Sequence, residues 1–310
     1  MRPDGTDDAT YVAAGSLWDN RVLWFKVQVP GVGVGFRYGS AAYLNSEYAI
    51  TAAHTVTDLL QFNPTYQVGT GSSYSNNLGV VASATVTVYP RFNPNDPGHT
   101  IDLAIIHFAQ PIDGPRVTIT NAQMGAVLTH AGFGNFGTPS AGETPRDGNR
   151  RAFLAVRGEF PQGPNIPYSS NYLCSTDFAP YFAGNGKGLS GDSGGGVFDA
   201  ATNLVGIMEA QVGFDAPSGE TLYLDLIQPD VYSWIISNTQ VTSIRPMLSM
   251  DCPDTIIASG ATNGIYCFEA STNLMDWSEI GRLPASSNSV SFHDGEATNF
   301  AFRFYRVRVQ

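Results

Sequence analysis

Positive charge is scarce in this chain. Lys and Arg together number 16 against 27 Asp and Glu, for a net charge of −11, and Lys26 and Lys187 are its only two lysines. No basic run occurs, so a phosphate backbone would be repelled rather than held, which argues against a nucleic-acid partner. Charged residues of both signs make up 14% of the chain, well below the usual ~25%. No apolar stretch approaches the roughly 18 residues needed to span a bilayer, so no membrane span is expected. Cysteine is almost missing too. Cys174 stands by itself, while Cys252 and Cys267 share the C-terminal region. A disulfide-dense scaffold is excluded, and for Cys252 and Cys267 a bridge and two buried thiols both stay open. Helical periodicity is nearly absent.

In place of charge there are Gly, Ser, Thr and Asn, with 43% hydrophobic residues, enough for substantial cores. Short alternating or apolar runs are punctuated by turn residues at 21–29, 33–44, 80–89, 101–108, 126–134, 151–156, 196–198, 204–208 and 221–226. Strands at such spacing argue an all-β protein, barrel or sandwich. Gln110-Pro-Ile-Asp-Gly-Pro115 is a turn-rich bridge between two strand-bearing regions. One helix stands out at 228–237, where Val231, Trp234 and Ile235 make a single apolar face. A length of 310 residues suggests two or three folded units.

Three segments carry chemistry. In Gly188-Leu-Ser-Gly-Asp-Ser-Gly-Gly-Gly-Val-Phe198, glycines around Ser193 permit a tight turn that exposes the hydroxyl and aims main-chain N–H groups at one point. A serine hydroxyl is a weak nucleophile and needs a neighbouring base. Ile50-Thr-Ala-Ala-His54 delivers one imidazole from the end of a tightly packed strand. Thr100-Ile-Asp102-Leu-Ala-Ile-Ile-His-Phe108 places one carboxylate at the rim of a buried strand. The order is His, Asp, Ser, separated by about 50 and about 90 residues, which is one of the known orders of a Ser-His-Asp triad.

These motifs resemble the chymotrypsin-like (trypsin-fold) serine proteases, over roughly residues 15–240. The resemblance implies two six-stranded antiparallel β-barrels, at 10–115 and 116–242, closed by a short C-terminal helix. It assigns His54 as general base, Asp102 as its orienting partner and Ser193 as nucleophile. Gly191 and Ser193 would supply the oxyanion hole through their backbone N–H groups. Lys187 falls at the base of the primary substrate pocket, with Glu209 and Gln211 on its wall, where the family usually has Ser-Trp-Gly. An ammonium there favours an acidic residue before the scissile bond; a mixed or apolar preference is the competing expectation. Glu209 would neutralise Lys187, approach Asp102, or face solvent with Lys187.

Two departures matter. No Ile-Val-Gly-Gly start precedes His54, the nearest sequence being Tyr11-Val-Ala-Ala-Gly15. An internal guanidinium among Arg146, Arg150, Arg151 and Arg157 is therefore expected to pair with Asp192, because a buried carboxylate without a partner is costly. The segment Met1-Arg-Pro-Asp-Gly-Thr-Asp-Asp8 is polar and is no signal peptide; the expectation is a secreted or periplasmic protein whose signal has been removed.

Residues 243–310 read as a separate unit. Glu269-Ala-Ser-Thr-Asn-Leu274, Asp276-Trp277 and Arg303-Phe-Tyr-Arg306 resemble a small β-sandwich module of secreted bacterial proteins. The function implied is a serine endopeptidase acting on protein or peptide substrates, with no metal or organic cofactor. Two rivals are a catalytically silent binding protein on the same fold and an adhesion or glycan-binding protein acting through the C-terminal module. The oligomeric state is left open.

Overall fold

The computed structural model describes the chain except residues 31–35, 76–78, 97–99, 116, 159–171, 177–185, 213–219, 240–246, 253, 260–264, 285–288, 301 and 310. Two compact units are present, Met1–Val241 and Thr242–Gln310. The start of the run expected at 33–44, and the connection near 242, lie outside the described residues.

In the first unit, β1 (Val22–Gln28), β2 (Phe36–Asn45), β3 (Tyr48–Thr51), β4 (Thr65–Gly69), β5 (Val81–Val88) and β6 (Ala104–Phe108) close into a barrel of order β1-β2-β3-β6-β5-β4. All its neighbouring strands are antiparallel. β5 shows why such a sequence forms a strand: Ala82 is buried while Val81 and Ser83 are exposed, the alternation that one covered face demands. β1 differs, with Val22, Leu23, Trp24 and Phe25 all buried, since it is covered on both of its faces.

A second barrel joins β7 (Val127–Gly132), β10 (Arg151–Gly158), β11 (Tyr172–Thr176), β12 (Gly196–Phe198), β13 (Leu204–Val212) and β14 (Glu220–Asp225), in the order β10-β11-β14-β13-β12-β7. A hairpin of β8 (Phe136–Thr138) and β9 (Gly142–Thr144) stands apart from it. The expected helix is α2 (Pro229–Thr239), which buries Val231, Tyr232 and Ile235 and sets Trp234 edge-on to Tyr89.

A helix that periodicity did not announce, α1 (Asp8–Ser16), covers Tyr11-Val-Ala-Ala-Gly15. Asp7 caps it by accepting a hydrogen bond from Ala9 N, the usual device for a donor left over in the first turn. Its buried face is small, only Tyr11 and Gly15, which explains the weak signal. Gly15 is needed there because a Cβ would lie 2.3 Å from the Arg150 carbonyl oxygen.

The second unit holds two three-stranded sheets. One joins β15 (Met247–Cys252), β16 (Thr255–Ser259) and β19 (Ser289–His293); the other joins β18 (Ser278–Pro284), β17 (Ile265–Ser271) and β20 (Phe304–Val309). Ile256, Ala258, Tyr266 and Phe268 form its core, with Phe292 stacked on Phe268. Cys267 is a free buried thiol, so no bridge joins it to Cys252. Arg303 pairs with Asp294, and Arg306 with Glu269 while lying over Trp277; the Arg308 side chain lies outside the described residues.

Candidate active site

His54 sits in a short helical turn, Ala53–Thr55, directly after β3. Ala52 and Ala53 are fully buried beneath it, which explains the two alanines: larger side chains would push the turn off the barrel. Asp102 lies just before β6 and is 3% exposed. Its Oδ1 accepts from His54 N at 2.8 Å, and its Oδ2 lies 2.6 Å from His54 Nδ1. The other ring nitrogen, Nε2, is 2.9 Å from Ser193 Oγ. The three side chains therefore form one chain of contacts. With one hydrogen on Nδ1 shared with Asp102, Nε2 is left as an acceptor toward Ser193.

The loop before β12 is held at many points. Gly194 N donates to Met208 O, Gly195 N to Asp192 O, and Asp192 N to Leu189 O. Gly191 has φ +91°, a conformation that L side chains avoid. Ser40 Oγ donates to Gly191 O, and Ser40 N to Ser193 O. Asp192 O shares its peptide with the Ser193 N–H, and Ser190 O, which accepts from Asn135 N, shares its peptide with the Gly191 N–H, so these two bonds fix the orientation of both N–H groups, which is what an anion site needs.

Asp192 is buried. Its Oδ1 accepts from Gly134 N at 2.8 Å and its Oδ2 from Leu189 N at 2.9 Å. The expectation of a guanidinium as its main partner is corrected here. Its strongest positive neighbour is the α-amino group of Met1, with Arg151 a weaker one. The Met1 amine donates to Lys187 O, and Lys187 N donates to Met1 O. Burial pushes the Asp192 carboxyl up and the Met1 amine down, each drawn back by the other's charge. The candidate arginines are engaged elsewhere. Arg146 donates to Tyr38 O, Arg150 to Gly15 O, Gly71 O and Asp19, and Arg151 to Asp8 and Asp147. Arg157 lies beside Tyr223 and Asp225.

Lys187 is 3% exposed. Gln211 lies on β13 opposite Thr221; its side chain is outside what the structure describes. Glu209, also on β13, faces neither Lys187 nor solvent. Its backbone oxygen lies 3.4 Å from Ser193 Oγ, while its carboxyl lies 3.7 Å from His54 Nδ1 and against Asp102. Burial, and then the Asp102 charge, push that carboxyl well above the usual range. Among the described residues His54, Asp102 and Glu209 are the one group of His, Cys, Asp and Glu with ligand atoms within 4.8 Å of one another. The His54 nitrogen in that group is engaged by its hydrogen bond to Asp102.

Tyr172 on β11 was not foreseen. Its hydroxyl donates to Thr100 O at 2.9 Å and accepts from Asp102 N at 3.3 Å, steadying the backbone that presents Asp102. No local pattern in the sequence signals it, because the contact is made across barrels.

The trypsin family model, described as "Trypsin", matches residues 27–235. The chain belongs to the trypsin family. No curated protein sequence matches it. Among solved structures, this trypsin-family chain is similar to the scabies mite inactivated protease paralogue S-I1, with 15% identity and a TM-score of 0.56 over 77% of this chain and 99% of that one. It is also similar to a protein titled "Structure of GrC", with 14% identity and a TM-score of 0.55 over 71% of this chain and 94% of that one. At such identities the likeness is one of fold.

Proposed function

We propose that this trypsin-family chain is a secreted serine endopeptidase that hydrolyses peptide bonds through an acyl-enzyme. The observation that carries the reading is the continuous contact from Asp102 through both nitrogens of His54 to Ser193 Oγ. In the first step Ser193 Oγ attacks the scissile carbonyl carbon while its proton passes to His54 Nε2. The oxyanion is received by the N–H groups of Gly191 and Ser193. Asp102 keeps the ring in the required tautomer and stabilises the imidazolium. His54 then gives its proton to the leaving nitrogen, and the C–N bond breaks to leave a Ser193 ester. Water repeats the sequence in reverse roles, releasing the acid and restoring the hydroxyl. Lys187, Glu209 and Gln211 are the positions proposed to bound the primary pocket. Export fits the family's usual setting, and a net charge of −11 disfavours nucleic acid as a partner.

A silent binding protein is the second reading, favoured by one observation: the Glu209 carboxyl set against Asp102. A serine-directed fluorophosphonate separates the two. Covalent labelling that maps to Ser193, and that Ser193→Ala abolishes, supports the peptidase. Folded wild-type protein that stays unlabelled refutes it.

A further inference from the structure

Two carboxyl groups lie side by side in the site, and only one of them is accounted for. Asp102 accepts both the His54 main-chain N–H and its ring N–H. Glu209 has no such donors: neither of its side-chain oxygens has a hydrogen-bond donor among the described residues, although its side chain is 2% exposed. The nearest nitrogen, His54 Nδ1 at 3.7 Å, has one hydrogen, already directed at Asp102. Two ionised carboxylates in contact, away from water and without a cation between them, repel strongly.

We propose that Glu209 is a positioning residue of the triad, kept as a neutral carboxylic acid whose O–H donates to the Asp102 carboxylate. Resting on the peptidase reading, it adds a second support for Asp102. One proton then serves the pair, which carries a single negative charge, and Asp102 is held by His54 on one side and by Glu209 on the other. Among the described residues the groups facing Glu209 are few. They are Asp102 from the segment before β6, His54 from the turn after β3, and Ser193, whose hydroxyl meets the Glu209 backbone. From β11, the Tyr172 hydroxyl meets the Asp102 backbone rather than either carboxyl. Among the described residues no ammonium or guanidinium faces it, so a proton is what balances the second carboxyl.

The sign of the pH effect follows. Burial beside Asp102 raises Glu209 above the ordinary 4.5. Below that value the folded and unfolded chains are both protonated. Above it, unfolding releases a proton to solvent, so stability contributed by the neutral group is lost as pH rises. In Glu209→Gln nothing is released, and the amide N–H₂ still donates to Asp102.

The test compares full-length wild type, Glu209→Gln and Glu209→Ala. The melting temperature of wild type is expected to fall relative to Glu209→Gln as pH rises from 4 to 9, the two converging at the acid end. Parallel curves overturn the proposal. In turnover of a peptide ester, Glu209→Ala is expected to lose about tenfold or more in kcat with KM little changed, and Glu209→Gln to recover most of it. An alanine variant with wild-type kcat overturns the positioning role. Should the variants fold poorly, infrared spectra of wild type labelled with ¹³C-glutamate decide: an isotope-shifted carboxylic-acid band at neutral pH is expected, and a fully ionised glutamate set overturns it. A wild-type melting temperature that drops with a chelator would put a cation in the proton's place and overturn it too. If wild type resists fluorophosphonate labelling, the peptidase reading fails, while the melting and infrared measurements still decide the proton.

Discussion

Ser40, on β2 of the first barrel, donates its hydroxyl to the carbonyl of Gly191, in the loop of the second, at 3.0 Å. The same oxygen accepts from Phe133 N at 2.9 Å. One side chain thus ties the Gly191–Asp192 peptide, which lies between the two N–H groups proposed to receive the oxyanion, to the opposite barrel.

That contact leads to a pair of substitutions. Gly191→Ala must adopt φ +91° and would place its Cβ 2.6 Å from the Arg146 guanidinium. Its kcat is expected to fall by about 10²–10³ with little change in KM, the usual cost of a lost oxyanion donor. Ser40→Ala removes a single hydrogen bond and should lose about tenfold or less. Steady-state kinetics on a peptide ester, with circular dichroism to confirm folding, measure both.

Ser193→Ala should abolish hydrolysis and fluorophosphonate labelling while leaving the melting temperature nearly unchanged. The loop is held by backbone contacts of Gly194, Gly195 and Asp192 rather than by the hydroxyl. Turnover by Ser193→Ala comparable with wild type would remove Ser193 from the mechanism.

His130, in β7, is fully buried, with Nε2 2.8 Å from Ser175 Oγ and its ring stacked on Phe153. Burial pushes its pKa down to about 3 from 6.5, so it is neutral in the fold and takes a proton on unfolding in acid. Its contribution to stability is present at neutral pH and is lost as pH falls from about 6.5 toward 3. Relative to His130→Gln, the wild type should lose about 3 kcal/mol between pH 7 and pH 4, read from urea unfolding at each pH.

Arg150 is fully buried, donating to Gly15 O, Gly71 O and Asp19 and lying over Phe133. It ties the end of α1 to the turn after β4. Arg150→Leu would leave the Gly71 carbonyl without its donor and remove one donor each from Gly15 O and Asp19, and should cost about 2–4 kcal/mol. Chemical denaturation measures the loss, and a change under 0.5 kcal/mol would contradict the role given to this side chain.

The sequence by itself determined the class of fold and the three side chains of the proposed triad. Both barrels grow from local alternation and turn residues, and the contexts of His54, Asp102 and Ser193 are local too: buried alanines, a strand rim, a glycine turn. The free Cys267, the capped helix α1, the Met1 amine beside Asp192, and the facing of Glu209 toward Asp102 rather than Lys187 came only with the tertiary structure. Each depends on which distant surface a side chain meets after the strands have closed. Glu209 is the clearest case. Along β13 it is the one charged side chain in the strand, and its chemistry is set by Asp102, brought from another barrel into a space that water does not reach. Desolvation and the charge of a neighbour decide its protonation, and neither is written in the residues on either side of it.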